Sequence, residues 1–92
     1  MKESEIIKQI QEYLKTLPEC FFWKEHGGQF GTGGMPDIIA CYKGKFVAFE
    51  VKTETGKVSI LQRVTIRRIQ AAGGIAEVVR SVDDARAVIQ KL

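Results

Sequence analysis

Histidine, cysteine and proline are scarce in this chain, and long apolar runs are missing altogether. His26 is the only histidine; no Ser/His/Asp nucleophile set competes for the chemistry, and a zinc site is disfavoured. Cys20 and Cys41 are the only cysteines. They are too few for a disulfide scaffold and show no metal-type spacing, which leaves two thiols packed as small hydrophobes in a reducing interior. No stretch approaches the roughly 20 apolar residues of a membrane span. Glu3, Glu5, Lys8, Gln9, Gln11 and Glu12 interrupt the apolar region that a signal peptide needs. The expectation is a cytoplasmic protein with no membrane partner.

What is present fits one globular domain spanning residues 1–92. The composition is 45% hydrophobic and 27% charged, which argues against disorder. At this length folding buries roughly two thirds of the chain's surface, enough for one modest core. The net charge is +3, unevenly placed. Residues 1–25 carry four lysines and five glutamates, whereas residues 43–68 carry seven basic residues against Glu50 and Glu54. A basic half of this kind suits a polyanion; a solvated helix face explains the charge alone equally well.

Ile6, Ile7, Ile10, Tyr13, Leu14 and Leu17 recur at helical spacing ahead of Pro18, which predicts a helix over 4–17. Cys20 to His26 reads as a strand, and the glycine-rich stretch from Gly27 to Gly34 as a loop. Asp37 to Tyr42 and Lys45 to Lys52 are β-rich runs around Lys43-Gly44, a hairpin signal. After a loop over 53–57, Ser59 and Gln62 form a capping-box pattern that opens a helix ending at Gly73-Gly74. Ile75 to Arg80 reads as a strand, and Ser81 with Asp84 starts a last helix to about Lys91. The order αβββαβα is a mixed α/β domain whose second helix crosses over to a parallel strand.

The hairpin has a geometric consequence. If Lys43 and Gly44 form the two-residue bend, Tyr42 faces Lys45 and Asp37 faces Glu50. Directly opposed residues have Cβ atoms about 4.5–5.5 Å apart. Lys52 shares that face, whereas Val47, Phe49 and Val51 point to the other. Opposed carboxylates repel. Lys52 can offset one charge, as in an ordinary ion pair on a solvated face. A divalent cation with oxygen ligands, Mg²⁺ or Mn²⁺, can offset both. Glu3 falls in line with the first helix's apolar stripe, where it either frays into water or adds a third oxygen near Asp37 and Glu50. Pro36 fixes the chain ahead of Asp37 and removes an N–H at the strand start. The glycines before it permit close backbone approach, either to a phosphate chain or simply as a flexible connection.

Pro36-Asp37 followed by Glu50-Val51-Lys52 resembles the PD-(D/E)xK nuclease motif. With Glu3, Gly34-Met35-Pro36-Asp37, Phe49-Glu50-Val51-Lys52, Leu61-Gln62 and Ala72-Gly73-Gly74, the chain resembles the VRR-NUC branch over about residues 3–80. The resemblance implies a restriction-endonuclease-like αβββαβ core with a mixed four-stranded sheet and a C-terminal helix. It implies a Mg²⁺- or Mn²⁺-dependent endodeoxyribonuclease acting on DNA, four-way junctions or other branched forms first of all, as a homodimer in a bacterial or phage-infected cytoplasm. Asp37, Glu50 and the Val51 carbonyl would hold the metal, and Glu3 would reach it directly or through water. Lys52 would orient the attacking water, and Gln62 matches a family position near the site as well as a helix cap. Outside the motif, Lys24, His26, Lys57, Arg63 and Arg67 are candidate DNA contacts. Trp23 reads as core or interface. Arg68 falls among Leu61, Val64, Ile69 and Ala72, where it pairs with an acid or marks a subunit interface. The competing readings are a non-catalytic DNA-binding module and an interaction module of a replication, repair or restriction assembly.

Overall fold

A computed structural model of the chain describes residues 1–26 and 33–92. The predicted glycine loop therefore lies outside the described residues over 27–32. The elements run α1 (Glu3–Lys15), β1 (Cys20–Lys24), β2 (Ile38–Tyr42), β3 (Lys45–Val51), α2 (Ile60–Ala71), β4 (Ile75–Val79) and α3 (Val82–Gln90). This is the expected α/β order with a restriction-endonuclease-like core. Several ends are shorter than predicted: α1 stops before Thr16, and β1 stops at Lys24.

The sheet order is β1-β2-β3-β4. β1 and β2 are antiparallel, as are β2 and β3, while β4 lies parallel to β3 after the α2 crossover. Lys43 and Gly44 both adopt positive φ, 51° and 80°, as a two-residue type I′ bend requires. The bend pairs Tyr42 with Lys45 and Ile38 with Phe49. That is the predicted register, and one step outwards it sets Asp37 opposite Glu50.

Period-two alternation divides the sheet into two faces. Ile38, Ala40, Tyr42, Val47, Phe49 and Val51 pack with Ile6, Ile7, Ile10 and Leu14 of α1 and with Ala85 and Ile89 of α3. The other face is thinner, and Ile39, Ala48 and Ala76 receive Ile66 of α2. Ala48 and Ala76 let the helix come close. Both caps form as predicted: the Ser59 side chain accepts the Gln62 N–H at 3.1 Å, and the Ser81 side chain accepts the Asp84 N–H at 3.1 Å.

The structure departs from the packing expected of Cys41, and of the alternatives open for Arg68 and Trp23 it removes the acid pairing and the core. The apolar residues of α2 are not its buried stripe, because Leu61 is 54% and Val64 43% exposed while Ile66 is the buried residue. Arg68, on that outward side, is exposed and has no acidic partner among the described residues. Cys41 is exposed rather than packed, since it points to the part of the α2-side face that α2 leaves uncovered. Trp23 is not a core residue: it is 44% exposed and donates its indole N–H to Glu25 at 2.9 Å.

Candidate active site

The site forms where β2 begins and β3 ends. Gly33 and Gly34 turn against α2, and Gly34 has φ +78° with its missing Cβ only 2.6 Å from Leu61 Cγ. A side chain there would be strained by the backbone and obstructed by α2. The turn leads into buried Pro36 and then Asp37. Asp37 lies just before β2 and continues the pairing with its side chain, Oδ2 accepting the Val51 N–H at 2.7 Å. A residue's N–H and C=O point to the same flank of a strand, so the Val51 carbonyl is directed to the Asp37 side as well.

Glu50 is the buried charged residue of the core, 2% exposed. Its Oε2 accepts from Gln62 Nε2 at 3.3 Å and lies 3.8 Å from the Lys52 ammonium. Its Oε1 is buried and has no hydrogen-bond partner. Burial pushes the Glu50 carboxyl up to about 8, helped by the neighbouring Asp37 carboxyl and by Glu3, while Lys52 pulls it down. The ordinary picture of a solvated surface ion pair therefore does not apply. The group is shielded from water, faces a second carboxyl and keeps one oxygen unsatisfied. A buried polar atom without a partner carries a free-energy cost of about 1–3 kcal/mol.

Gln62 both caps α2 and touches Glu50. Its Oε1 accepts the Ser59 N–H at 2.9 Å and its Nε2 reaches Glu50. The capping box of α2 is thereby tied to the acid on β3.

Asp37, Glu50, Lys52 and Gln62 thus converge. Glu3, at the first turn of α1, is near enough to raise the Glu50 pKa. It does not complete a direct ligand cage, since among the described residues no three carboxylate, imidazole or thiol groups converge to hold an ion. The donor set still fits a hard cation: two carboxylates, one with an unsatisfied oxygen, and a carbonyl on the same flank. Mg²⁺ in particular keeps several waters rather than requiring an all-protein cage. Lys24, His26, Lys57, Arg63 and Arg67 are all exposed. Lys24 pairs with Ile38 and so lies on the face opposite Asp37, while Arg63 and Arg67 lie along α2.

Glu25 and Arg80 escaped the sequence reading. The Glu25 N–H donates to the Asp37 carbonyl at 2.8 Å, which places Glu25 beside Asp37 across the strands. Arg80 holds the loop after Lys52. Neither position carries a motif signal.

Helices on both faces of a mixed four-stranded sheet, with a Pro-Asp turn against a Glu-Val-Lys strand end, define a nuclease fold of the restriction-endonuclease-like class. More narrowly, the fold is that of a VRR-NUC domain. The chain is similar to a solved "VRR_NUC domain" structure at 25% identity and a TM-score of 0.81, covering 98% of this chain and 96% of that one. A solved "VRR_NUC domain protein" is 19% identical with a TM-score of 0.79, covering 98% of this chain and 86% of that one. No family model matches the chain, and no curated protein matches it.

Proposed function

We propose that the chain is a divalent-metal-dependent endonuclease that hydrolyses DNA phosphodiester bonds at the Asp37–Glu50 site. The observation that carries this reading is the unsatisfied, buried Oε1 of Glu50 in a carboxyl pair. A buried carboxyl pair with one oxygen left without a partner is costly in the folded protein, and a bound cation would offset that cost. Asp37, Glu50 and the Val51 carbonyl would hold Mg²⁺ or Mn²⁺, with Glu3 acting through water. The ion would supply Lewis acidity and a lowered pKa for the attacking water. Lys52 orients that water and stabilises charge on the scissile phosphate. Gln62 fixes the Glu50 carboxylate through the α2 cap. Exposed His26, Lys57, Arg63 and Arg67 would meet the DNA backbone, which positions a duplex without reading its sequence, while Lys24 on the opposite face would not. That favours recognition of shape, with branched DNA as the substrate, in the cytoplasm.

The proposed partner is a second copy of the chain. Phe21, Trp23 and Phe46 share the α2-side face and are 69%, 44% and 44% exposed. Such a bare apolar area on a small domain marks an interaction surface, and a two-fold would supply two sites for two strands. Sedimentation equilibrium should give twice the mass of one chain, and Trp23→Ser should shift it towards the monomer. A wild-type monomer at micromolar concentration contradicts the dimer.

The test of activity mixes the protein with labelled four-way junction, flap and linear duplex, in Mg²⁺ or in EDTA. Cutting should require the metal, prefer the branched DNAs and vanish in Asp37→Asn. Cutting that survives Asp37→Asn refutes the site. Salt-sensitive binding without cutting identifies a non-catalytic module instead.

A further inference from the structure

The connection from β3 to α2 separates the proposed catalytic lysine, Lys52, from Gln62. Its residues, Thr53 to Val58, form no regular element. They are nevertheless held, and from one place. Arg80, immediately after β4, donates from Nη1 to the carbonyl oxygens of Thr53 at 2.6 Å, Gly56 at 2.8 Å and Glu54 at 3.4 Å. The loop closes on itself through the Gly56 N–H, which donates to the Thr53 carbonyl at 3.1 Å. An added Cβ at residue 56 would crowd Thr53, 3.1 Å from its Oγ1 and 3.3 Å from its N.

Arg80 is itself anchored. Its backbone N–H donates to Asp84 Oδ2 at 2.9 Å, and the Asp84 N–H donates to the Ser81 cap. One residue earlier, the Val79 carbonyl accepts the Lys52 N–H at 3.0 Å. The β4–α3 junction therefore grips Lys52 by its backbone and the residues after it by a side chain. Among the described residues Arg80 has no carboxylate partner, so its charge is directed at carbonyl dipoles. All three contacts are made by Nη1, whose two N–H groups serve Thr53 and Gly56 at short range and share the longer contact to Glu54.

We propose that Arg80 is a positioning residue of the active site: its guanidinium clips the Thr53–Gly56 loop to β4 and thereby fixes where Lys52 meets Glu50. The effect on catalysis rests on the nuclease reading, whereas the effect on the loop does not. The released carbonyls lie at the surface and can bind water, so removing Arg80 leaves the fold intact. It frees the backbone next to Lys52, and a misplacement of about 1 Å can cost about 100-fold in rate.

The test compares wild type, Arg80→Ala, Arg80→Lys and Lys52→Ala as full chains. Backbone ¹⁵N order parameters in the metal-free protein read the clip directly. Thr53 to Gly56 should fall from about 0.85 to below about 0.6 in Arg80→Ala, with β3 unchanged. Single-turnover cleavage of labelled DNA should drop by about 10- to 100-fold at unchanged DNA affinity. Arg80→Lys should recover part of the order and rate, since one cationic nitrogen makes all the contacts, and millimolar methylguanidinium should restore rate to Arg80→Ala but not to Lys52→Ala. An unchanged loop overturns the clip. A mobile loop with wild-type cleavage overturns the positioning role while leaving the nuclease reading in place, provided Lys52→Ala is inactive. Full cleavage by Lys52→Ala takes the lysine out of the mechanism and overturns the positioning role, whereas no cleavage by wild type in Mg²⁺ overturns the nuclease reading itself.

Discussion

Replacing Glu50 by glutamine should make the metal-free protein more stable at pH 8 while abolishing cleavage. In the folded chain the Glu50 carboxyl titrates at about 8, against an ordinary value of 4.5, chiefly because burial disfavours its charged form. Between those values the native state holds a proton that the unfolded chain has released. A state that binds more protons loses stability as pH rises. This contribution is fully present below about 4.5 and declines as pH climbs to about 8, at a slope of at most about 1.4 kcal/mol per pH unit. Glutamine keeps an acceptor for Gln62 and cannot ionise. Melting scans in EDTA should show wild type losing about 10 °C or more between pH 5 and 8, a loss of roughly 2 kcal/mol. Glu50→Gln should stay nearly flat. Mg²⁺ should restore wild type at pH 8 by binding only the folded state, and should leave Glu50→Gln unmoved. Parallel pH profiles for the two proteins would refute the assignment of the burden to this carboxyl.

Lys52→Ala should lower cleavage by about a thousandfold without comparable loss of DNA affinity. Its ammonium lies 3.8 Å from Glu50 Oε2 on a side chain only 13% exposed, so it is directed at the site rather than at solvent. A single preorganised donor at developing negative charge is worth about 10²–10³ in rate. In the proposed mechanism Lys52 would also orient the nucleophile, which adds to that. It contributes only one positive charge to a surface that also exposes Lys57, Arg63 and Arg67, so ground-state binding depends on it little. Lys52→Arg should not rescue, because a planar fork does not replace a compact ammonium beside a buried carboxylate. Single-turnover cleavage and fluorescence anisotropy of labelled junction separate the two quantities. Equal losses in rate and affinity would make Lys52 a plain DNA contact.

Much of this site was legible in the sequence because a local bend determines it. Lys43-Gly44 leaves two residues between the strands, and the register then runs outwards by counting until Asp37 faces Glu50. The caps at Ser59 and Ser81 were equally local. The face of α2 was not legible. Its apolar residues Ile60, Leu61 and Val64 point outwards, whereas the inward side carries Gln62 for Glu50 and Ile66 against small Ala48 and Ala76. A helix that spends part of its inner face on a polar site loses the simple stripe. Glu25 was missed because the long stretch between β1 and β2 does not fix their register as a tight bend does. Arg80 was missed because its partners are backbone carbonyls, which no side-chain pattern records.

The most direct measurement is anomalous diffraction from a crystal of the protein soaked in Mn²⁺, collected alongside an Asp37→Asn crystal treated identically. The predicted result is an anomalous peak between the Asp37 and Glu50 carboxylates in the wild type and none at that position in the variant. A wild-type crystal with no manganese between those two acids, from protein that cleaves DNA when Mn²⁺ is added, would contradict the assigned metal site.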